Sequence, residues 1–132
     1  MRNVVLDSNI IISAAISPNG NPAKIVNAVL DKNIQIYYSA EIMTEYEEVL
    51  SRKEFNFNSE KQDTFILGIK KNGILIEPPT SSMFIPDEDD RVFYDTAKAI
   101  GATLITGNIK HYPKEPFIMT PTGFLASLEK TE

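Results

Sequence analysis

Three acidic residues sit where a strand-and-helix fold could bring them together: Asp7, Glu45 and Asp90. Asp7, with the small polar residues Ser8 and Asn9, breaks the apolar run from Val4 to Ile12, and it falls just after a strand-like run, where open α/β sheets bind ligands. Asn9, Thr106, Asn108 and Asp95 are candidate second members of the same group. Carboxylate and amide oxygens suit Mg2+ or Mn2+, hard cations that keep part of their water. Three clustered carboxylates repel one another, and a divalent ion offsets that repulsion. The ion also lowers the pKa of its bound water and stabilises charge on a phosphate under attack. Metal-dependent phosphodiester hydrolysis is the reaction that best uses these parts. Taken alone, Asp7 or Asn9 is more often a helix cap than a ligand.

The elements that must position these residues can be read from periodicity. Val4 to Leu6 reads as a buried strand, Asp7-Ser-Asn9 as a turn, and Ile10 to Ala15 as the start of a helix. Ser17 to Pro22 is a cluster of turn formers, Ala23 to Asp31 a helix, and Ile34 to Tyr38 an alternating strand. Ser39 is a good N-cap for a helix to about Ser51. At 100° per residue, Glu41 and Glu48 face solvent, while Glu45 and Glu47 border the apolar stripe. Ser59 to Gln62 fits a capping box for a helix to about Lys71, followed by a short strand at Ile74 to Ile76 and a proline-rich loop. The acidic run Asp87 to Asp90 leads into a helix over Arg91 to Ile100 that Gly101 stops. Strands follow at Thr103 to Thr106 and at Phe117 to Met119, with a final helix starting at Pro121. This alternation predicts a three-layer α/β/α sandwich with a mainly parallel sheet, in one domain over 1–132. In such a fold the loops after strands share one edge, which brings Asp7 beside the Thr106-Gly-Asn108 turn.

Composition narrows the partners. The chain has 132 residues, no cysteine and one histidine, so a thiolate or multi-histidine metal centre is excluded. No apolar stretch has the length of a signal peptide or a membrane span, which predicts a cytoplasmic protein with no membrane partner. With 18 acidic and 13 basic residues the net charge is −5, the wrong sign for holding nucleic acid by bulk electrostatics. A cleft built to hold a cation would give the same balance.

The stretches Asp7-Ser-Asn-Ile10, Ser39-Ala-Glu-Ile-Met-Thr-Glu45, Asp89-Asp-Arg-Val-Phe-Tyr-Asp-Thr-Ala97 and Leu104-Ile-Thr-Gly-Asn108 together resemble a PIN-domain protein. They stand in the family's order across nearly the whole chain. Short stand-alone chains of this kind resemble VapC-like toxins of prokaryotic toxin–antitoxin pairs. The resemblance implies a Mg2+- or Mn2+-dependent ribonuclease with an RNA substrate, a protein antitoxin and self-association as a homodimer or higher homo-oligomer. It assigns the catalytic and metal-binding carboxylates to Asp7, Glu45 and Asp90, and supporting roles to Asn9 and Thr106. The fourth acidic position, usually the aspartate of a Thr-Gly-Asp turn, is Asn108 here. An amide still ligates through oxygen but removes one negative charge. Asp95 could supply that charge, although it lies about 140° around the helix from Asp90. Arg91 and Lys110 follow site motifs closely and are the candidate phosphate-binding residues. His111 reads as an ordinary surface histidine.

Two other classes stay open. One is a catalytically weak PIN-like module that binds protein or nucleic acid. The other is an aspartyl-phosphate phosphotransfer domain, for which Asp7-Ser-Asn lacks the second aspartate two residues on.

Overall fold

The computed structural model describes residues 1–129. Its sheet has five parallel strands: β1 (Arg2–Leu6), β2 (Ile34–Tyr38), β3 (Ile74–Leu75), β4 (Thr103–Ile105) and β5 (Ile118–Met119), in the order β3-β2-β1-β4-β5. The helices between and after them are α1 (Ser8–Ile16), α2 (Asn21–Leu30), α3 (Ala40–Leu50), α4 (Ser59–Asn72), α5 (Arg91–Ile100) and α6 (Pro121–Glu129). Side chains alternate across a strand, so the burial of Val4, Val5 and Leu6 together shows that both faces of β1 are covered. That is the α/β/α sandwich the alternation predicts. Helix α5 packs against β1, β4 and β2, while α2 and α4 pack against β2 and each other.

The chain moves from β1 outward to β2 and β3, then returns to lay β4 on the other side of β1. The order therefore reverses between β1 and β4, and such switch points open a crevice at the carboxyl ends of the strands. Leu6 registers with Ile105, and Asp7 N donates to Ile105 O at 3.0 Å. The next residues on the two strands are Asp7 and Thr106.

Helix boundaries follow local chemistry. Ser39 caps α3, its Oγ accepting from Ile42 N at 3.1 Å. The capping box expected at Ser59 does not form. Asn58 is the N-cap instead, its Oδ1 accepting from Lys61 N at 2.8 Å, and Gln62 turns to the Phe57 carbonyl. Asparagine is as good a cap as serine and lies one residue earlier, which lets α4 start at Ser59. Gly101 ends α5 in the left-handed region at φ 67°, where a Cβ is costly. β3 is a two-residue edge strand with both side chains exposed. Among the described residues three short 3-10 turns, Lys53–Phe55, Glu88–Asp90 and Ile109–His111, fall in segments that periodicity leaves as connections. No helix among the described residues is long and apolar enough to cross a membrane.

Candidate active site

Asp7 closes β1 and opens α1. Its backbone is extended and its Oδ1 accepts from Asn9 N at 3.4 Å, which makes it the α1 N-cap. The same carboxylate is 5% exposed, and its Oδ2 accepts from Thr106 Oγ1 at 2.9 Å and from Tyr112 Oη at 2.8 Å. Cap and site member are thus one residue. Thr106 also accepts from Asn9 Nδ2 at 3.3 Å and from Asn108 N at 3.0 Å, and Asn9 Oδ1 accepts from Gly107 N at 3.1 Å. Asn9 thereby staples the turn after β4 to the first turn of α1.

Glu45 reaches this edge from α3. The Tyr46 hydroxyl donates to the Leu6 carbonyl, fixing α3 to the end of β1, and Ser8 Oγ donates to Glu45 Oε2 at 2.7 Å. Burial pushes the Glu45 carboxyl above its usual range; the Ser8 bond opposes this, and the charges of Asp7, Asp89 and Glu48 add to it.

Asp90 completes the group from the start of α5. Burial first, then the charges of Asp7 and Asp87, push its pKa up to about 7; His111 opposes the rise and Glu45 adds to it. The acidic run now divides by role. Asp87 caps the 3-10 turn through Asp89 N, Glu88 pairs with Arg91 at 2.6 Å, and Asp90 makes no cap bond. Asp90 Oδ2 is buried without a hydrogen-bond partner, and His111 Nδ1 is 3.7 Å away, at ion-pair rather than hydrogen-bond distance.

The other sequence-predicted residues are placed differently. Asn108 is exposed; its backbone N–H serves Thr106, and its side chain makes no cap bond. Asp95 is buried in α5, where Oδ2 accepts from Ser81 N at 3.0 Å, and it is not among the charges acting on Glu45 or Asp90. Arg91 has its guanidinium on Glu88 and on the carbonyl and hydroxyl of Ser81. Arg91 and Asp95 therefore pin the proline-rich segment after β3 onto α5. Lys110 is exposed on the turn after Asn108.

A cleft of about 570 Å³ adjoins the group, sharing Glu45 with it and lined also by Glu41, Glu77, Asp89, Arg91 and Asp95. Its walls repel a phosphate unless a cation intervenes. Among the described residues no three carboxylate or imidazole side chains form a ready-made metal cage. Mg2+ needs none, since it keeps several waters, through which carboxylates too far away to ligate it can still hold it. The Asp90 oxygen without a hydrogen-bond partner and the mutual repulsion of Asp7, Glu45 and Asp90 are what such an ion would relieve. The donor set fits a hard divalent cation.

Comparison with known proteins bears on what this edge is for. The model of the PIN domain family matches residues 3–110, a span that includes Asp7, Glu45, Asp90, Thr106 and Asn108. The chain belongs to the PIN domain family. An uncharacterized protein of Methanocaldococcus jannaschii, MJ1680, is 33% identical over 108 residues, 80% of this chain and 70% of that protein. Among solved structures, VapBC2 from Rickettsia felis, bound to a DNA fragment from its promoter, shares the fold: the TM-score is 0.58 at 17% identity, covering 89% of this chain and 96% of that one.

In this PIN domain three side chains join the site that motif reading did not place there: Ser8, His111 and Tyr112. Ser8 lies inside the first motif, and its small polar side chain was the available signal. His111 is a surface histidine, as expected, but it stands 3.7 Å from Asp90 Oδ2. Tyr112 is 5% exposed, and burial, then the Asp7 and Asp90 charges, drive its phenol far above the usual range, so it is a proton donor to Asp7.

Proposed function

We propose that this PIN domain is a metal-dependent endoribonuclease, acting in the cytoplasm as the toxin of a type II toxin–antitoxin pair. The observation that carries this reading is Asp90: a carboxylate with a buried oxygen that has no hydrogen-bond partner and only His111 at 3.7 Å facing it, held within electrostatic reach of Asp7 and Glu45 at the sheet's switch point. In this reading Asp7, Glu45 and Asp90 hold Mg2+ or Mn2+, which when bound supplies an activated water and charge stabilisation at the scissile phosphate. Asn9 and Thr106 keep Asp7 in place, and Asn108 faces the ion or its waters through its amide oxygen. Lys110, exposed beyond the turn, meets the RNA backbone, whereas Arg91 acts by fixing the wall of the cleft. A protein antitoxin covers the acidic edge, and the toxin self-associates; the fold shared with VapBC2 supports the pairing.

RNA cleavage by the purified protein is expected to stop in EDTA and return with excess Mg2+ or Mn2+. Cleavage that survives metal removal would sink this reading.

Asn108 favours a second reading, a PIN-like binding module with weak catalysis, because the family's fourth charge is missing at this position. Asn108→Asp separates the two. If the position faces the ion, the added charge should tighten Mn2+ binding about tenfold, equivalent to ~1.4 kcal/mol, and raise the cleavage rate. Unchanged Mn2+ affinity, with RNA or protein bound but uncut, would favour the module.

A further inference from the structure

Asp7 has two oxygens in unlike surroundings. Oδ2 accepts two good hydrogen bonds, from Thr106 at 2.9 Å and Tyr112 at 2.8 Å, both from buried side chains. Among the described residues Oδ1 has only two long contacts, Asn9 N at 3.4 Å and Ser8 Oγ at 3.5 Å. The Ser8 hydroxyl carries one proton, and its 2.7 Å bond to Glu45 uses it. Oδ1 is therefore the under-satisfied oxygen, and it lies on the side shared with Ser8 and Glu45. Thr106 is saturated as an acceptor by Asn9 and Asn108, so its proton is committed to Asp7. Tyr112 supplies the second donor from beyond the Ile109–His111 turn, 105 residues away in sequence.

We propose that Tyr112 is a positioning residue whose hydroxyl, with that of Thr106, holds Asp7 Oδ2 away from the cleft so that Asp7 meets a divalent cation through Oδ1 alone. This rests on the metal-site reading above. Without the phenol hydroxyl, Oδ2 keeps one donor, and the carboxylate gains freedom to rotate toward the ion or away from it. Partners that orient a metal ligand are worth roughly 10–100-fold in metal affinity.

The test compares wild-type, Tyr112→Phe, Tyr94→Phe and Asp7→Asn proteins, each binding Mn2+ alone in calorimetry. Tyr94 is a control, since its buried hydroxyl bonds Glu115, away from the site. Tyr112→Phe should weaken Mn2+ binding about tenfold and lower kcat while leaving KM for RNA unchanged, whereas Tyr94→Phe leaves Mn2+ binding unchanged. A lower melting temperature for Tyr112→Phe with wild-type Mn2+ affinity would make the hydroxyl merely structural and overturn the proposal. Equal Mn2+ binding by wild-type and Asp7→Asn proteins would overturn the metal site as well, a distinct result. Should Tyr112→Phe fail to fold, the Tyr112 ring-carbon resonance of wild type serves instead: it should shift on Mg2+ addition, and no shift overturns the proposal.

Discussion

Asp7→Asn is expected to lower RNA cleavage about 1,000-fold, the rate equivalent of ~4 kcal/mol lost from transition-state stabilisation. The substitution is nearly isosteric, so the loss reports charge and hydrogen-bond polarity rather than a cavity. Asparagine retains an oxygen that can accept from Asn9 N and keep the α1 cap. Its amide nitrogen would then stand where Oδ2 now accepts from Thr106 and Tyr112. Thr106 cannot turn acceptor, because Asn9 and Asn108 already fill its lone pairs. Only the Tyr112 hydroxyl can rotate to receive the new donor, and one buried donor pair facing each other costs roughly 1–3 kcal/mol. A second readout is independent of RNA. The Asp7 charge is the largest after burial of the causes that raise Asp90, so removing it should move the Asp90 pKa down from about 7, measurable by carboxyl NMR in metal-free protein. An Asp90 titration unmoved by Asp7→Asn would mean the two carboxylates are not one electrostatic group.

The sheet and its helices were legible because apolar period and turn chemistry agree along most of the chain. Val4 to Leu6, Ser39 and Gly101 each mark an element that forms where it was expected. Asp7, Glu45 and Asp90 were legible as candidates because parallel topology sends the segments after strands to one edge. What could not be read is the polar wiring across that edge. Tyr112 follows a turn whose 3-10 geometry has no apolar period, and its partner is 105 residues away in sequence. Arg91 was legible as a cation beside a site motif. Its engagement by Ser81 depends on how the segment after β3 folds back, and the Pro78-Pro79 loop gives no period from which to derive that. Asp7 shows a different kind of limit. Local sequence reads the Asp7 carboxylate as a cap or as a site member, whereas at this strand-to-helix junction its two oxygens divide the work, Oδ1 capping α1 and Oδ2 accepting from Thr106 and Tyr112.

Asp90→Asn should abolish cleavage and yet make the metal-free protein more stable at neutral pH. Burial and the charges of Asp7 and Asp87 raise the folded-state pKa from 3.8 to about 7, so folding costs free energy whenever Asp90 is ionised. The full shift corresponds to roughly 4 kcal/mol, and solvent access at this half-buried group reduces the expected gain to about 2 kcal/mol. The sign follows from proton binding. Below about pH 4 Asp90 is protonated in both folded and unfolded chains, and wild type loses nothing to its charge. Between about pH 4 and 7 the unfolded chain ionises first, so wild-type stability falls with rising pH, and above about pH 7 the penalty is complete. The advantage of Asp90→Asn in melting temperature should therefore be absent in acid, grow across that window and level off near neutrality. Saturating Mg2+ should narrow it, since a cation bound to the folded state stabilises wild type by mass action and offsets the same repulsion. An Asp90→Asn protein less stable than wild type at pH 7.5 without metal would show that Asp90 is a structural acid, held by contacts worth more than its charge costs. A more stable, inactive variant is the signature of a carboxylate kept for a cation and at the expense of the fold.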